Sequence, residues 1–548
     1  MKLPAAHHWR PPAIAVVIVL NVASNGLHAQ PAHPHGREVG KVEFAVSCSR
    51  EAQVEFNRAV ALLHHMTYPE ARKAFQQVAS LDPRCAMAHW GVAMTLFQPL
   101  WPTRPSPADL RRGWEAMQAA EKLGPVTDRE RLFIQSAAAF FHTDARDYWE
   151  RIRRWEEAMT KVHVAFPEDP EASAFYALAH LAVAPSDERA RAYSDRAAAI
   201  LVAVHEKHPD HPGAMHYLVH ANDAVGRERE SPDVVRQYEQ SAPQNPHALH
   251  MPTHIFVRLG EWTGVIRGNL RAAEAALAHP AGDAGQLVWD EFPHAIEYLV
   301  YAYLQQGADE LAAAQVKRLA QTARLEPTFK TAFHLASTQA RYALERRAWS
   351  EAGALRPREP ATLSWDQFKW PEAVTWFARG LGAIHLGDSV SARAAAARLA
   401  ELETAAGSSG EALFARHIRV LRLTVDAWRA HAAQRRDAGV ALMREAVALE
   451  ESTPKHPVTP APTLPASELL GDLLLEQARP AEALVAYQHS LAGHPRRFNS
   501  LLGVARAARA SGNASVAGTA YGELLVLAKA GTRHAELREA RAFVAGKR

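Results

Sequence analysis

LGDLLLEQARPAEALVAYQHSLAGHP, residues 470–495, decides how the rest of the chain is read. Leu470, Gly471, Ala483, Tyr487 and Pro495 stand at the offsets of a helix pair. The small residues let two antiparallel helices approach closely, the aromatic ring fills the gap between them, and the proline stops the second helix. Ala71, Phe75 and Pro83 repeat the last three offsets near the other end of the chain, and a fresh helical stretch, AMAHWGVA, follows from Ala86. Matching registers at both ends predict one continuous array of such pairs between them.

Composition agrees. A chain of 548 residues exceeds what one hydrophobic core organises, so it must be several domains or a solenoid whose core grows by repetition. Alanine, leucine, glutamate and arginine dominate, and runs with the period of two that strands need are scarce after residue 50. Breaks near Pro125, Pro167, Pro185, Pro209, Pro232, Pro246, Pro280, Gly307 and Pro371 divide the middle into helical hairpins longer than the 34-residue standard. The expected fold is all-α, a right-handed tetratricopeptide-like (TPR-like) solenoid of roughly a dozen antiparallel helix pairs. Its expected parts are a signal peptide (1–29), an extended segment (30–49), a helical array (50–451), a proline-rich linker (452–465) and C-terminal repeats (466–548). The linker, STPKHPVTPAPTLP, has too many prolines for a helix. It is either a spacer between subdomains or an internal ligand folded back into the groove.

The chain resembles a broad group of uncharacterised exported bacterial tetratricopeptide repeat proteins. The resemblance rests on CAMAHWGVAMTLFQPLW from Cys85, MHYLVHANDAVG from Met215, HALHMPTHIFVRLGEW from His247, HAIEYLVYAYLQQG from His294 and KHPVTPAPTLPASELLGDLLLEQARPAEAL from Lys455. It covers nearly all of the chain after the signal and implies the fold, while no biochemical activity comes with it.

Lys2 and Arg10 precede an apolar run from Ala13 to Val22, and small residues follow through Ser24 and Ala29. That is the layout of a cleavable secretory signal, too short to remain as a membrane anchor, and it predicts a periplasmic or secreted protein with no membrane span in the mature chain. An exported protein with two cysteines favours a disulfide between Cys48 and Cys85. The 62 basic and 59 acidic residues, net +3, are interspersed, so no basic face marks a nucleic-acid partner.

Histidine, with 29 copies, carries the chemical signal. His216 and His220 project from one helical face, with Asp223 continuing the stripe. His250 and His254 repeat the pattern one 34-residue period later. His294 and Glu297 stand on the next hairpin, and His180 and His334 extend the ladder on either side. Neutral imidazole is the commonest ligand of zinc, copper or nickel. His216, His220, His250, His254 and His294 are therefore candidate metal ligands, with Asp223 or Glu297 to complete the site or to accept ring N–H groups. His64, His65 and His89 are read as packing residues, as is the tryptophan-rich stretch Trp365–Phe377.

Neither His-x-x-x-His pair encloses the glutamate that zinc peptidases use as a base. There is no GxSxG elbow, phosphate loop or paired-cysteine zinc motif, so the sequence leans away from an enzyme and assigns no catalytic or cofactor-binding residue. Two readings remain open: a scaffold that takes a protein or extended peptide in its concave groove, and a metal-binding protein or metal-dependent hydrolase built on the histidines.

Overall fold

The computed structural model describes residues 39–546 apart from 102, 283, 284 and 530. The expected signal peptide and the start of the extended segment lie outside these residues. The described chain is an all-α, right-handed TPR-like solenoid with 26 α-helical segments and one short 3-10 turn, ending on a single helix, His534–Val544. Two of the segments, Pro246–His250 and Pro252–Leu259, are halves of one helix interrupted at Pro252, which has no N–H to offer the preceding turn. The first helix of each pair packs on its partner and on the first helices of the neighbouring pairs, so the first helices form the inner wall. Among the described residues the strand content is a ribbon of two-residue strands in which Pro280–Ala281 pairs antiparallel with Leu287–Val288. No helix among the described residues is long and apolar enough to cross a membrane.

The residues that predicted the repeat perform the packing expected of them. Tyr487 is buried between Gly471 and Gly503, where a methyl group would come within 2.7 Å and 2.4 Å of its ring; its hydroxyl donates to Asp472 at 2.6 Å. Phe75 fills the same place against Gly91. Residues 39–49 are irregular. Their backbone N–H groups are met by side chains, Phe44 by Asn57, Val46 by Gln53 and Ser47 by Glu130, as buried polar groups require. Cys48 and Cys85 are joined by a disulfide, which pins this segment to the third helix.

Two features close the inner space. Distant repeats touch: Arg104 pairs with Glu411 at 3.0 Å, the Trp149 indole donates to the Gly410 carbonyl, and Trp262 donates to Arg496. Gly260 sits at φ 65° with a Cβ position only 2.7 Å from the Pro495 carbonyl oxygen, so glycine serves both the left-handed turn and the close approach.

The second feature is the proline-rich segment, which folds back across the inner helices. The Arg341 guanidinium donates to three successive carbonyls, Ala461, Pro462 and Thr463, at 2.9, 3.0 and 3.3 Å. Val458 is fully buried, His456 packs on Trp370 and Phe414, and the Ala466 N–H donates to Glu450 at 2.9 Å. Of the two courses open to this segment in the sequence, it takes that of the internal ligand. Trp365 and Trp370 are packed in the core.

Candidate metal centre

The site lies where the first helices of three successive pairs meet. His216 and His220 come from Pro212–Asn222, His247 and His250 from Pro246–His250, His254 from Pro252–Leu259 and His294 from Glu291–Gln305. The short helix is set by Asn245, whose side-chain oxygen caps the Ala248 N–H at 3.1 Å and whose amide donates to Thr67 at 2.7 Å. All these rings are buried apart from the half-buried His220. Trp101 closes one side, edge-on to His247 and His294 at 5.5 and 6.0 Å between centroids.

The outward nitrogen of five of these rings meets a group that fixes its hydrogen. His216 Nδ1 faces the His64 carbonyl at 2.5 Å, which can only accept. His247 Nδ1 faces Glu291 at 3.1 Å and His254 Nδ1 faces Asp223 at 2.8 Å. His250 Nδ1 faces Asn269 Oδ1 at 2.7 Å; the Asn269 amide nitrogen is committed to Thr253 and Val265, which fixes its orientation. His334 donates from Nδ1 to Glu297 at 2.6 Å and accepts on Nε2 from His294 Nδ1 at 2.7 Å. A neutral imidazole carries one hydrogen, so His216, His247, His250, His254 and His294 each turn an Nε2 lone pair inward, that of His254 with the Tyr298 hydroxyl 3.3 Å away.

Those lone pairs face one another. His216 Nε2 is 3.0 Å from His247 Nε2, and His250 Nε2 is 3.0 Å from His254 Nε2. His220 Nε2 lies 3.2 Å from His216 Nε2. His294 Nε2 is buried without a hydrogen-bond partner, as is His220 Nδ1. Two buried acceptors in contact repel unless a cation lies between them. Between His250 and His254 a proton is a poor candidate. Burial first, then the neighbouring imidazoles, push His216, His220, His250 and His294 well below the ordinary histidine range, and burial takes His254 down to about 4 despite its bond to Asp223. A metal ion held at about 2 Å satisfies the same lone pairs, and the nitrogens converge as two trios, His216, His220 and His247, and His250, His254 and His294, each within 4.8 Å.

The carboxylates stand outside. Burial alone would raise the Asp223 carboxyl, but Lys455 and Arg258 hold it well below the usual range, and it stays an acceptor for His254. Glu291 is held down by Lys330 and His247 against the same effect of burial. Glu297 bonds His334, Ser337 and Arg341 and reaches the trio only through His334. Such outer carboxylates fix the tautomer and orientation of a ligating imidazole.

Sequence reasoning named His216, His220, His250, His254, His294, Asp223 and Glu297, and all seven lie in or directly around this site. It missed His247, whose signal was present: His247, His250 and His254 stand three and four apart, on one helical face. The histidine ladder was too long at one end, since His180 pairs with Glu156 and stacks on Tyr193 away from the site.

A third group, His64, Glu171 and His211, is of another kind. The Ala214 N–H donates to His211 Nδ1, so the hydrogen sits on Nε2, which lies 3.2 Å from Glu171 without a hydrogen bond to it. His64 reaches Glu171 at 2.8 Å and the Tyr217 hydroxyl at 3.0 Å. No pair of lone pairs converges there, and the group is a buried hydrogen-bonded network. His65 is likewise bonded on both nitrogens, to Tyr238 and to the Val39 carbonyl.

No family model matches the chain, and no curated protein matches it. Solved structures similar to it include the Cut9–Hcn1 hetero-tetramer of APC/C, 13% identical with 90% of this chain and 89% of that chain covered, at a TM-score of 0.31. Human IFIT1 in its dimer with m7Gppp-AAAA is 14% identical, with 89% of this chain and 91% of that chain covered, at a TM-score of 0.36.

Proposed function

We propose that this chain is a metalloprotein in which a helical repeat array serves as a rigid cage for a transition-metal centre. The observation that carries this reading is the pair of nitrogen contacts at 3.0 Å, His216 to His247 and His250 to His254, between atoms whose hydrogens are committed elsewhere. Zinc, copper and nickel all suit an imidazole site. The layout of residues 1–29 supports a periplasmic or secreted location for it. Elemental analysis of the untagged mature protein is expected to find bound metal. His220→Ala combined with His254→Ala is expected to abolish it while helical content is retained, because most of the array lies outside the site. Metal-free protein that takes up none of the three ions in dialysis would refute the reading.

The second reading is a scaffold for a partner protein or extended peptide. It is favoured by the course of residues 452–465, since Arg341 binds three successive carbonyls in a way that depends on backbone rather than side chain. The chain's own segment occupies that surface, so a partner in the groove must first displace it.

A further inference from the structure

Resting on the metal-centre reading, we infer that the site holds two copper ions side by side, each bound as Cu(I) by three Nε2 atoms, His216, His220 and His247 for one and His250, His254 and His294 for the other.

Number comes first. The convergent nitrogens are six, and one ion in the tetrahedral arrangement usual for imidazole sites takes four. The two left over would face each other buried and unserved. The close nitrogen contacts fall within the trios, 3.0 and 3.2 Å in the first and 3.0 Å in the second. The trios also adjoin: centroids are 6.2 Å apart between His220 and His254 and 6.4 Å between His247 and His250, close to the widest spacings inside the trios, 6.1 and 6.5 Å.

Charge selects the metal. All six ligands are neutral, and no carboxylate or thiolate belongs to either trio. The outer carboxylates are already paired, Asp223 with Lys455 and Arg258, Glu297 with Arg341, and Glu291 with Lys330, which also serves Asp290, so four cations stand against four carboxylates. Two divalent ions would bring four uncompensated charges into a buried space, at a steep desolvation cost, whereas two cuprous ions bring two. Cuprous copper accepts three imidazoles without a fourth ligand, while zinc completes a tetrahedron.

The test is anaerobic titration of the metal-free mature protein with Cu(I) against a chromophoric chelator, with the ion count read by native mass spectrometry. Wild type is expected to take two cuprous ions, and His220→Ala and His294→Ala each to lose at least one. His220→Ala is the safer variant, because that ring is half-buried and its Nδ1 makes no hydrogen bond; circular dichroism checks that each variant is folded. A single ion in wild type, two ions retained by folded His220→Ala, or two zinc ions that copper cannot displace would overturn the inference and leave a metal centre standing. Absence of any bound ion would overturn both.

Discussion

Lys455 Nζ lies 2.6 Å from Asp223 Oδ2, so the proline-rich segment is tied to the carboxylate that orients His254. Lys455 is largely enclosed, 11% of its side chain remaining exposed; this desolvation lowers its pKa against the pull of Asp223, and it also donates to the Thr459 carbonyl. The folded-back segment and the histidine site are thereby parts of one charge network.

Asp223→Asn keeps the shape of this junction and removes its charge. The His254 ring loses its anionic acceptor, and metal affinity is expected to fall about 10- to 100-fold. Lys455 and Arg258 are left as largely enclosed cations without their partner, so stability is expected to drop by up to about 3 kcal/mol. Chelator competition reads the first effect and denaturant unfolding the second; unchanged affinity would remove Asp223 from the site.

Arg341→Met deletes the donors to the Ala461, Pro462 and Thr463 carbonyls while conserving much of the side-chain volume. The segment is expected to detach before the array unfolds. Limited digestion with a proline-specific protease should then cut within residues 452–465 of the variant and spare the wild type. Equal resistance of the two proteins would show that packing of Val458 and His456 suffices.

The clasp at the base of that segment is pH-sensitive. Burial pushes the Glu450 carboxyl from about 4.5 up to about 8. Between those values the folded chain keeps a proton that the unfolded chain has lost, so stability falls as pH rises, at up to about 1.4 kcal/mol per pH unit. Below pH 4.5 the group contributes nothing to the slope. Glu450→Gln keeps an acceptor for the Ala466 N–H and has no proton to lose. Its advantage over wild type in urea midpoint is expected to grow from pH 5 to pH 8, and a constant difference would show that the carboxyl titrates normally.

Replacing Cys48 and Cys85 together by serine frees a loop of 37 residues' separation. On the chain-entropy account this costs about 3 to 4 kcal/mol. The loss is expected in the N-terminal repeats, and hydrogen exchange should show residues 39–85 opening ahead of the middle of the array.

The repeat was legible because its determinants are local: Gly471 and Tyr487 meet within one hairpin, and so do Phe75 and Gly91. The core of the site was legible for the same reason, since His216 and His250 are one period apart and helical spacing aligns their neighbours. His247 was less legible because it stands outside the pairs four apart, and its contribution depends on a five-residue helix stopped before Pro252. The curvature that carries Arg104 to Glu411 was not legible. It accumulates from small rotations at every pair, and hairpins longer than the standard give no fixed angle. Nor could the sequence say that Asp223 and Glu297 stand behind imidazoles, since that depends on which side chains reach the centre first.

Stacked helix pairs without cross-links behave as a spring, each pair yielding a little to tension and passing the rest along. The segment from Lys455 to Thr463 removes that elasticity over the middle of this protein. It is held by Asp223 at one end and Arg341 at the other, residues of helix pairs that the coil would otherwise let drift apart. Extension of the array would load those two attachments before it widened the gap between His216 and His294, so the histidine cage keeps its dimensions while the outer helices breathe.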